Sequence, residues 1–158
     1  MEQYIQILHD MNDLFTEMIP LEKSKMNCVT TRNLSLLEDI MKKEQAGIMR
    51  MRGLEQKRMK LQEQLGYGTK TFRDIISSAP EEYTGQLKEL YEQLNKTVTS
   101  FKSVNESSSQ LLELSLHNID QQIAQLKTAH HMDPDDDLSY DPKDSSHIKK
   151  LSFHSRTV

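Results

Sequence analysis

The sequence is poor in the residues that build large globular cores, cross-links and catalytic loops. The 158 residues include no Trp, one Cys, four Phe and five Gly, and 35% are apolar. Globular domains usually have about 45–50% apolar residues, so we expect an elongated helical packing rather than a rounded core. Because Cys28 is alone, the chain can have neither an intrachain disulfide nor a Cys-based metal site, and the cytosol is the simplest compartment.

Long apolar runs and basic clusters are also missing. No stretch approaches the roughly 18 apolar residues of a membrane-spanning helix, so we expect no membrane insertion. The first ten residues, MEQYIQILHD, have neither the basic nor the apolar region of a signal peptide. The formal charge is −4 and no basic face is evident, which argues against nucleic acid as a partner.

Helical periodicity is the feature that the sequence does have. Residues 81 to 127 contain no Pro and one Gly, and apolar residues recur there at three- and four-residue spacing. This pattern predicts one amphipathic helix of about 70 Å. Similar patterns predict long helices over residues 2 to 29 and 34 to 65. We therefore predict an all-α fold: an elongated antiparallel bundle of three long helices, with a short connector helix and a flexible C-terminal tail. The predicted domains are a helical bundle over 1–129 and an acidic tail over 130–158.

Local signals place the ends of the first two helices. Pro20 predicts a kink in the first helix, because it removes a backbone donor and crowds the preceding turn. Either Asn33 or Ser35 can cap the second helix, and Ser35 with Glu38 fits a capping box. Gly66 fits the left-handed residue that ends it.

The connector has signals of its own. Thr71 followed by Asp74 indicates a helix of one or two turns. Ser78 with Glu81 fits a capping box for the long third helix, and Pro80 is tolerated in a first turn.

Glu44 and Arg58 lie in line with the apolar stripe of the second helix. We favour the interpretation that they form ion pairs at the rim, because charged residues near a stripe are usually solvated. The alternative is that they form polar layers that fix helix register, with each one needing a partner on another helix.

The third helix has a serine-rich middle over residues 102 to 110, and serine favours local backbone bonding inside helices. This stretch is either a solvent-facing segment with a small-residue crossing or a hinge. If it is a hinge, residues 111 to 126 offer a separate face for a partner.

The tail allows three interpretations. Alternate acidic and hydroxyl residues follow the spacing of a calcium loop, but Leu138 replaces its turn glycine and two prolines intervene. Adjacent His130 and His131 are expected to be merely exposed. Short apolar islands over 138–140 and 148–153 fit either a spacer or a docking motif, in which Tyr140 is the strongest anchor. The calcium-loop positions are Asp133, Asp135, Asp137, Ser139, Asp141 and Asp144.

No catalytic constellation is evident. Glu113 and His117 are four residues apart, but there is no second copy as a di-iron site requires. We expect no enzyme activity, no metal and no cofactor.

The chain resembles the FlgN family of bacterial flagellar export chaperones over nearly its whole length. The resemblance rests on an NL-x-x-L-x-x-I opening of the second helix, a KE-x-x-x-I-x-x-x-x-x-LE-x-x-R pattern after it, an asparagine-then-double-leucine segment and a Ser-Tyr-Asp triplet. These comprise Asn33, Leu34, Leu37 and Ile40; Lys43, Glu44, Ile48, Leu54, Glu55 and Arg58; Asn105, Leu111, Leu112, Leu116 and Ile119; and Ser139, Tyr140 and Asp141.

The resemblance implies a chaperone that binds the hook–filament junction subunits FlgK and FlgL and delivers them to the export gate protein FlhA. It implies that Tyr140 docks at the export gate. It also implies a substrate-binding face that consists of Leu112, Leu116, Ile119, Ile123 and Leu126. The alternative function is a structural coiled-coil oligomer or adaptor, and the sequence leaves a homodimer open.

Overall fold

The computed structural model describes residues 1–130 as four α-helices, with the side chains described through residue 128. They are α1 (Glu2–Thr31), α2 (Leu34–Gln64), α3 (Phe72–Ser78) and α4 (Glu81–His130). Within these residues the structure confirms the predicted all-α bundle, with three long helices and one short connector helix. No described helix combines the length and the apolar character that crossing a membrane requires.

The chain divides into two compact units, Met1–Ser115 and Leu116–Val158. The first contains α1, α2, α3 and the first part of α4. Of the second, the structure describes the remainder of α4. The predicted domain boundary between residues 129 and 130 stays a prediction.

Side-chain contacts define the helix directions within the first unit. The Tyr4 hydroxyl lies 3.5 Å from Gln62 Oε1, and Lys25 Nζ lies 2.8 Å from Glu44 Oε2, so α1 and α2 are antiparallel. The Phe15 and Phe101 rings are 5.4 Å apart, and both residues lie in the middle of their helices. Since Leu87 joins the cluster around Tyr4, α4 runs parallel to α1.

Two apolar clusters form the core of this unit. The first contains the start of α1, the α3 residues that close over it, and the start of α4: Tyr4, Ile5, Leu8, Ile75, Ile76, Leu87 and Leu90. The second lies further along and contains Leu14, Phe15, Met18, Met51 and Phe101. The α1 residues in both clusters follow the helical spacing that the sequence shows, because one stripe of α1 faces α2 and α4 together.

The ends of α2 are specified by single residues. Asn33 Oδ1 accepts a hydrogen bond from the Leu36 backbone N–H at 3.2 Å, so Asn33 is the N-cap. The predicted capping box of Ser35 and Glu38 is wrong, because α2 begins at Leu34 and Ser35 is already helical. Gly66 follows α2 with a φ of 78°, as predicted for its C-terminal end.

The predicted start of α3 is confirmed. Thr71 and Asp74 form a reciprocal capping box around the first turn. The predicted box of Ser78 with Glu81 is wrong, because Ser78 is the last residue of α3 and donates to the Asp74 carbonyl at 2.7 Å. Pro80 immediately precedes α4.

Two predicted irregularities lie inside unbroken helices. α1 continues as one helix through Pro20. α4 continues through residues 102 to 110, where Ser107 Oγ donates to the Ser103 carbonyl at 2.9 Å. Ser108 is buried in this stretch, as a small-residue crossing requires, and the alternative of a hinge stays a prediction.

Candidate binding face and polar layers

The apolar stripe of α4 changes in burial along the helix. Leu90 is 1% exposed, whereas Ile119 is 51% and Leu126 is 59% exposed. Leu116 and Ile123 are half-buried, and no side chain described after Ser115 is buried. A contiguous apolar stripe that stays exposed to water is typical of a surface that binds a partner.

The predicted substrate-binding residues share one side of α4. Leu112, Leu116, Ile119, Ile123 and Leu126 fall within one narrow sector of the helix at 100° per residue. Leu112 and Leu126 are about 21 Å apart along the axis. Helical spacing therefore puts these residues on one side of α4, a surface defined here as the distal face, and its role in binding substrate stays a prediction.

Polar residues border the distal face. Glu113 and Asp120 are exposed beside it, whereas His117 lies further round the helix, where its Nε2 is 2.9 Å from Gln121 Nε2. Leu114 is also exposed but points to the opposite side of the helix. An apolar strip with polar borders is suited to pairing with the apolar face of another amphipathic helix.

A buried ion layer crosses the bundle beyond the second apolar cluster. Lys25 Nζ lies 2.9 Å from Glu22 Oε2 and 2.8 Å from Glu44 Oε2. The Glu22 and Lys25 side chains are almost completely buried, and the Glu44 side chain is 14% exposed. Burial raises the pKa of Glu44 above its ordinary range, and the bonds to Lys25 offset part of that effect.

The interpretation of Glu44 as a rim residue is wrong. Its partner Lys25 lies on another helix, as the polar-layer alternative requires. The four-three spacing of Leu8, Met11, Phe15 and Met18 continues to Glu22 and then Lys25. Sequence reasoning missed both because they are charged, although their spacing could have identified them.

A second polar layer lies at the other end of the antiparallel α1–α2 hairpin, near the start of α1 and the end of α2. Buried Gln62 accepts bonds from Tyr4 and Arg58, and its amide donates to the Gly68 carbonyl at 2.8 Å and the Lys70 carbonyl at 2.9 Å. These bonds fix the turn after α2 against the bundle. Sequence reasoning missed Gln62, because nothing marks a buried glutamine before its backbone partners are known.

Arg58 contacts this layer and also forms the predicted ion pair near the rim, with Glu55 of the same helix. Its guanidinium forms two bonds to Glu55, at 2.8 and 2.7 Å, and a further one to Gln62. The Glu55 carboxylate raises the pKa of Arg58, which keeps the guanidinium charged. Burial raises the pKa of Tyr4, so its hydroxyl remains a neutral donor at neutral pH.

Metal ligation has no support among the described residues, which contain no group of three His, Cys, Asp or Glu that could hold an ion. The calcium-loop positions, His131, the two apolar islands and the docking residue Tyr140 lie outside the described residues. The side chain of His130 also lies outside them.

A comparison with protein families assigns the chain. Residues 1–143 match the family described as FlgN protein. The chain belongs to the FlgN family. Membership in this family indicates the role of a flagellar export chaperone. It also confirms the resemblance found in the sequence. No curated protein and no solved structure matches the chain significantly.

Proposed function

We propose that this FlgN-family chain binds the C-terminal helices of the junction subunits FlgK and FlgL through the distal face. Binding would take place in the cytoplasm, before export. One observation carries the proposal: the stripe that α4 buries at Leu87 and Leu90 continues to Ile119 and Leu126, where it is exposed.

The chemistry of the distal face favours a helical partner. Leu, Ile and their polar borders repeat at three- and four-residue spacing, which matches the repeat of a second amphipathic helix. Burial of apolar side chains supplies about 25 cal/mol for each Å² removed from water. A substrate whose apolar stripe is covered would be unable to assemble or aggregate prematurely. This is the protection that a chaperone provides.

Delivery to the export gate protein FlhA is the second part of the proposal. Tyr140 is the docking residue, because an aromatic ring with a polar tip anchors interfaces well. Its support is the family resemblance and its place within the matched residues 1–143. Tyr140→Ala is expected to weaken FlhA binding and leave binding of the FlgK peptide unchanged. Equal FlhA affinities of the two chains would refute the docking role.

Two double variants test the distal face, one that places charges within it and one that places them on the other side of α4. Leu116→Asp with Ile123→Asp introduces two charges into the distal face and should abolish calorimetric binding of a FlgK C-terminal peptide. The control, Asn118→Asp with Gln125→Asp, adds the same charges at the same seven-residue spacing on the other side of α4. The control should bind the peptide, and both variants should keep their far-UV circular dichroism.

Two results would contradict the assignment of the distal face. If the Leu116–Ile123 variant unfolds, these residues belong to a core. If it binds as tightly as the control, the peptide contacts another surface.

The alternative is a structural coiled-coil oligomer, in which the distal face pairs with a second copy of the chain. The same exposed stripe supports it, since apolar heptads pair readily with themselves. Sedimentation with and without the FlgK peptide separates the two functions. A stable dimer that ignores the peptide would favour the oligomer, and a complex with the peptide would favour the chaperone.

A further inference from the structure

The side chains through which α4 packs against the bundle differ between its beginning and its middle. Both apolar clusters include α4 residues, but none of the described members lies beyond Phe101. One heptad after the Phe15–Phe101 contact, the two parallel helices carry Glu22 and Ser108, both buried. The packing of α4 therefore changes at this level from apolar side chains to polar ones.

The polar level is short of hydrogen-bond donors. Two carboxylates, Glu22 and Glu44, share the single ammonium of Lys25. Glu22 Oε1 accepts a hydrogen bond from Lys25 Nζ at 3.1 Å, whereas Glu22 Oε2 lies 2.9 Å from the same ammonium as an ion pair and has no hydrogen-bond partner. Ser108 Oγ is also buried without a partner. Separation of α4 from this level would admit water to both oxygens, which offsets the cost of the lost contacts.

The Gln62 layer provides an internal contrast. Its carbonyl oxygen accepts from Tyr4 and Arg58, and its amide donates to two backbone carbonyls. A polar layer whose groups are satisfied resists opening, whereas a layer with orphaned groups favours it. Access of water would therefore stabilise the unsatisfied groups at the level of Glu22 and Ser108 but would gain little at the Gln62 layer.

We propose that residues 104 to 115 of α4 open away from the α1–α2 hairpin as a local unit, with the Glu22–Lys25–Glu44 layer as the release point. The two apolar clusters stay packed in this open state. The Lys25–Glu44 pair joins α1 to α2 and so keeps the hairpin closed. The opening is a property of the free chain and needs no particular partner.

Cys28 is a native reporter of this opening. It is the only cysteine of the chain and is buried on α1, one turn beyond Lys25. The antiparallel register of Lys25 and Glu44 places Ile40, also buried, at the same level of α2. Two helices alone leave one side of such a thiol open to water. The parallel register of Phe15 and Phe101 places the α4 residues around Leu114 at the level of Cys28, so the proposed opening of α4 would uncover the thiol on that side.

The experiment is thiol labelling of the full chain over urea concentrations below the unfolding transition. Local opening exposes little surface, so the labelling rate of Cys28 should depend weakly on urea. Ser108→Ala removes the orphaned hydroxyl and should slow labelling about fivefold. Ser107→Ala is the matched control, because that hydroxyl is exposed and bonded to the Ser103 carbonyl, and its rate should stay within about twofold of the parent chain.

A second pair of variants changes the charge balance. Lys25→Met leaves two carboxylates without a cation and should speed labelling about tenfold, whereas Lys23→Met, at an exposed position, should have little effect. If Lys25→Met does not fold, the serine pair still decides the question. Labelling with the full urea dependence of global unfolding, or equal rates for the two serine variants, would overturn the proposal.

Discussion

The two ends of α4 carry the same apolar repeat but have different surroundings. At the N-terminal end, Leu87 and Leu90 pack against α1 and α3 inside the first cluster. Toward the C-terminal end, Ile119 and Leu126 keep more than half of their surface exposed. Between them lies the polar level of Glu22 and Ser108. The periodicity of a helix therefore identifies an apolar face without saying what covers it.

This difference connects stability to function. The covered part of the stripe fixes α4 in the bundle, and in the proposed function the uncovered part binds a partner. The two parts should respond oppositely to substitution: changes near Leu90 should affect folding, and changes near Leu126 should affect binding.

The largest expected effect separates the two ends directly. Leu90→Ala removes a buried side chain and should lower the free energy of unfolding by about 2–5 kcal/mol. Leu126→Ala, at an exposed position, should change it by less than about 0.5 kcal/mol. Urea denaturation followed by circular dichroism measures both. Equal losses would mean that the distal face is buried in the folded chain.

The second prediction, with a smaller expected effect, compares the Gln62 layer with the polar level of Glu22 and Ser108. Gln62→Ala leaves the Gly68 and Lys70 carbonyls without their donor and should cost about 1–3 kcal/mol. Ser108→Ala should leave the free energy of unfolding unchanged or raise it by up to about 1 kcal/mol, since alanine also favours the helix. A loss at Ser108 that matches the loss at Gln62 would contradict the distinction between satisfied and orphaned layers.

The smallest effect is a pH dependence at the ion layer. Because the folded state raises the pKa of Glu44 above its ordinary 4.5, the folded chain binds this proton more tightly than the unfolded chain. Stability should therefore fall as pH rises from about 4.5 through the raised pKa, and then level off. Glu44→Gln should remove this contribution, while Asp39→Asn, at an exposed carboxylate, should preserve it.

Urea titrations at several pH values test this sign. The difference in unfolding free energy between the parent chain and Glu44→Gln is the quantity to follow. A difference that grows in the opposite direction would show that the Lys25 contact outweighs burial at Glu44.

Much of the fold could be predicted from spacing and single residues. The three long helices, the Thr71 start of α3 and the Gly66 end of α2 follow from local chemistry, because periodicity and turn residues act within a few positions. The polar layers could not be predicted. Lys25 and Glu44 come together only through the register of α1 on α2, and the carbonyl partners of Gln62 depend on the path of the following turn.

The candidate site was predictable only in part. The spacing of Leu112 through Leu126 places these residues on one side of a helix whatever its surroundings. Their exposure depends on where the other helices end, which no local pattern within α4 encodes. Tyr140 stays a prediction, since it lies outside the described residues.

Hydrogen exchange of the full chain with and without a FlgK C-terminal peptide tests the central claim most directly. The distal face predicts increased protection of amides over residues 112 to 126, with unchanged protection over residues 87 to 101. Protection that appears only elsewhere, for example around the exposed Leu34 at the start of α2, would contradict the assignment of the distal face.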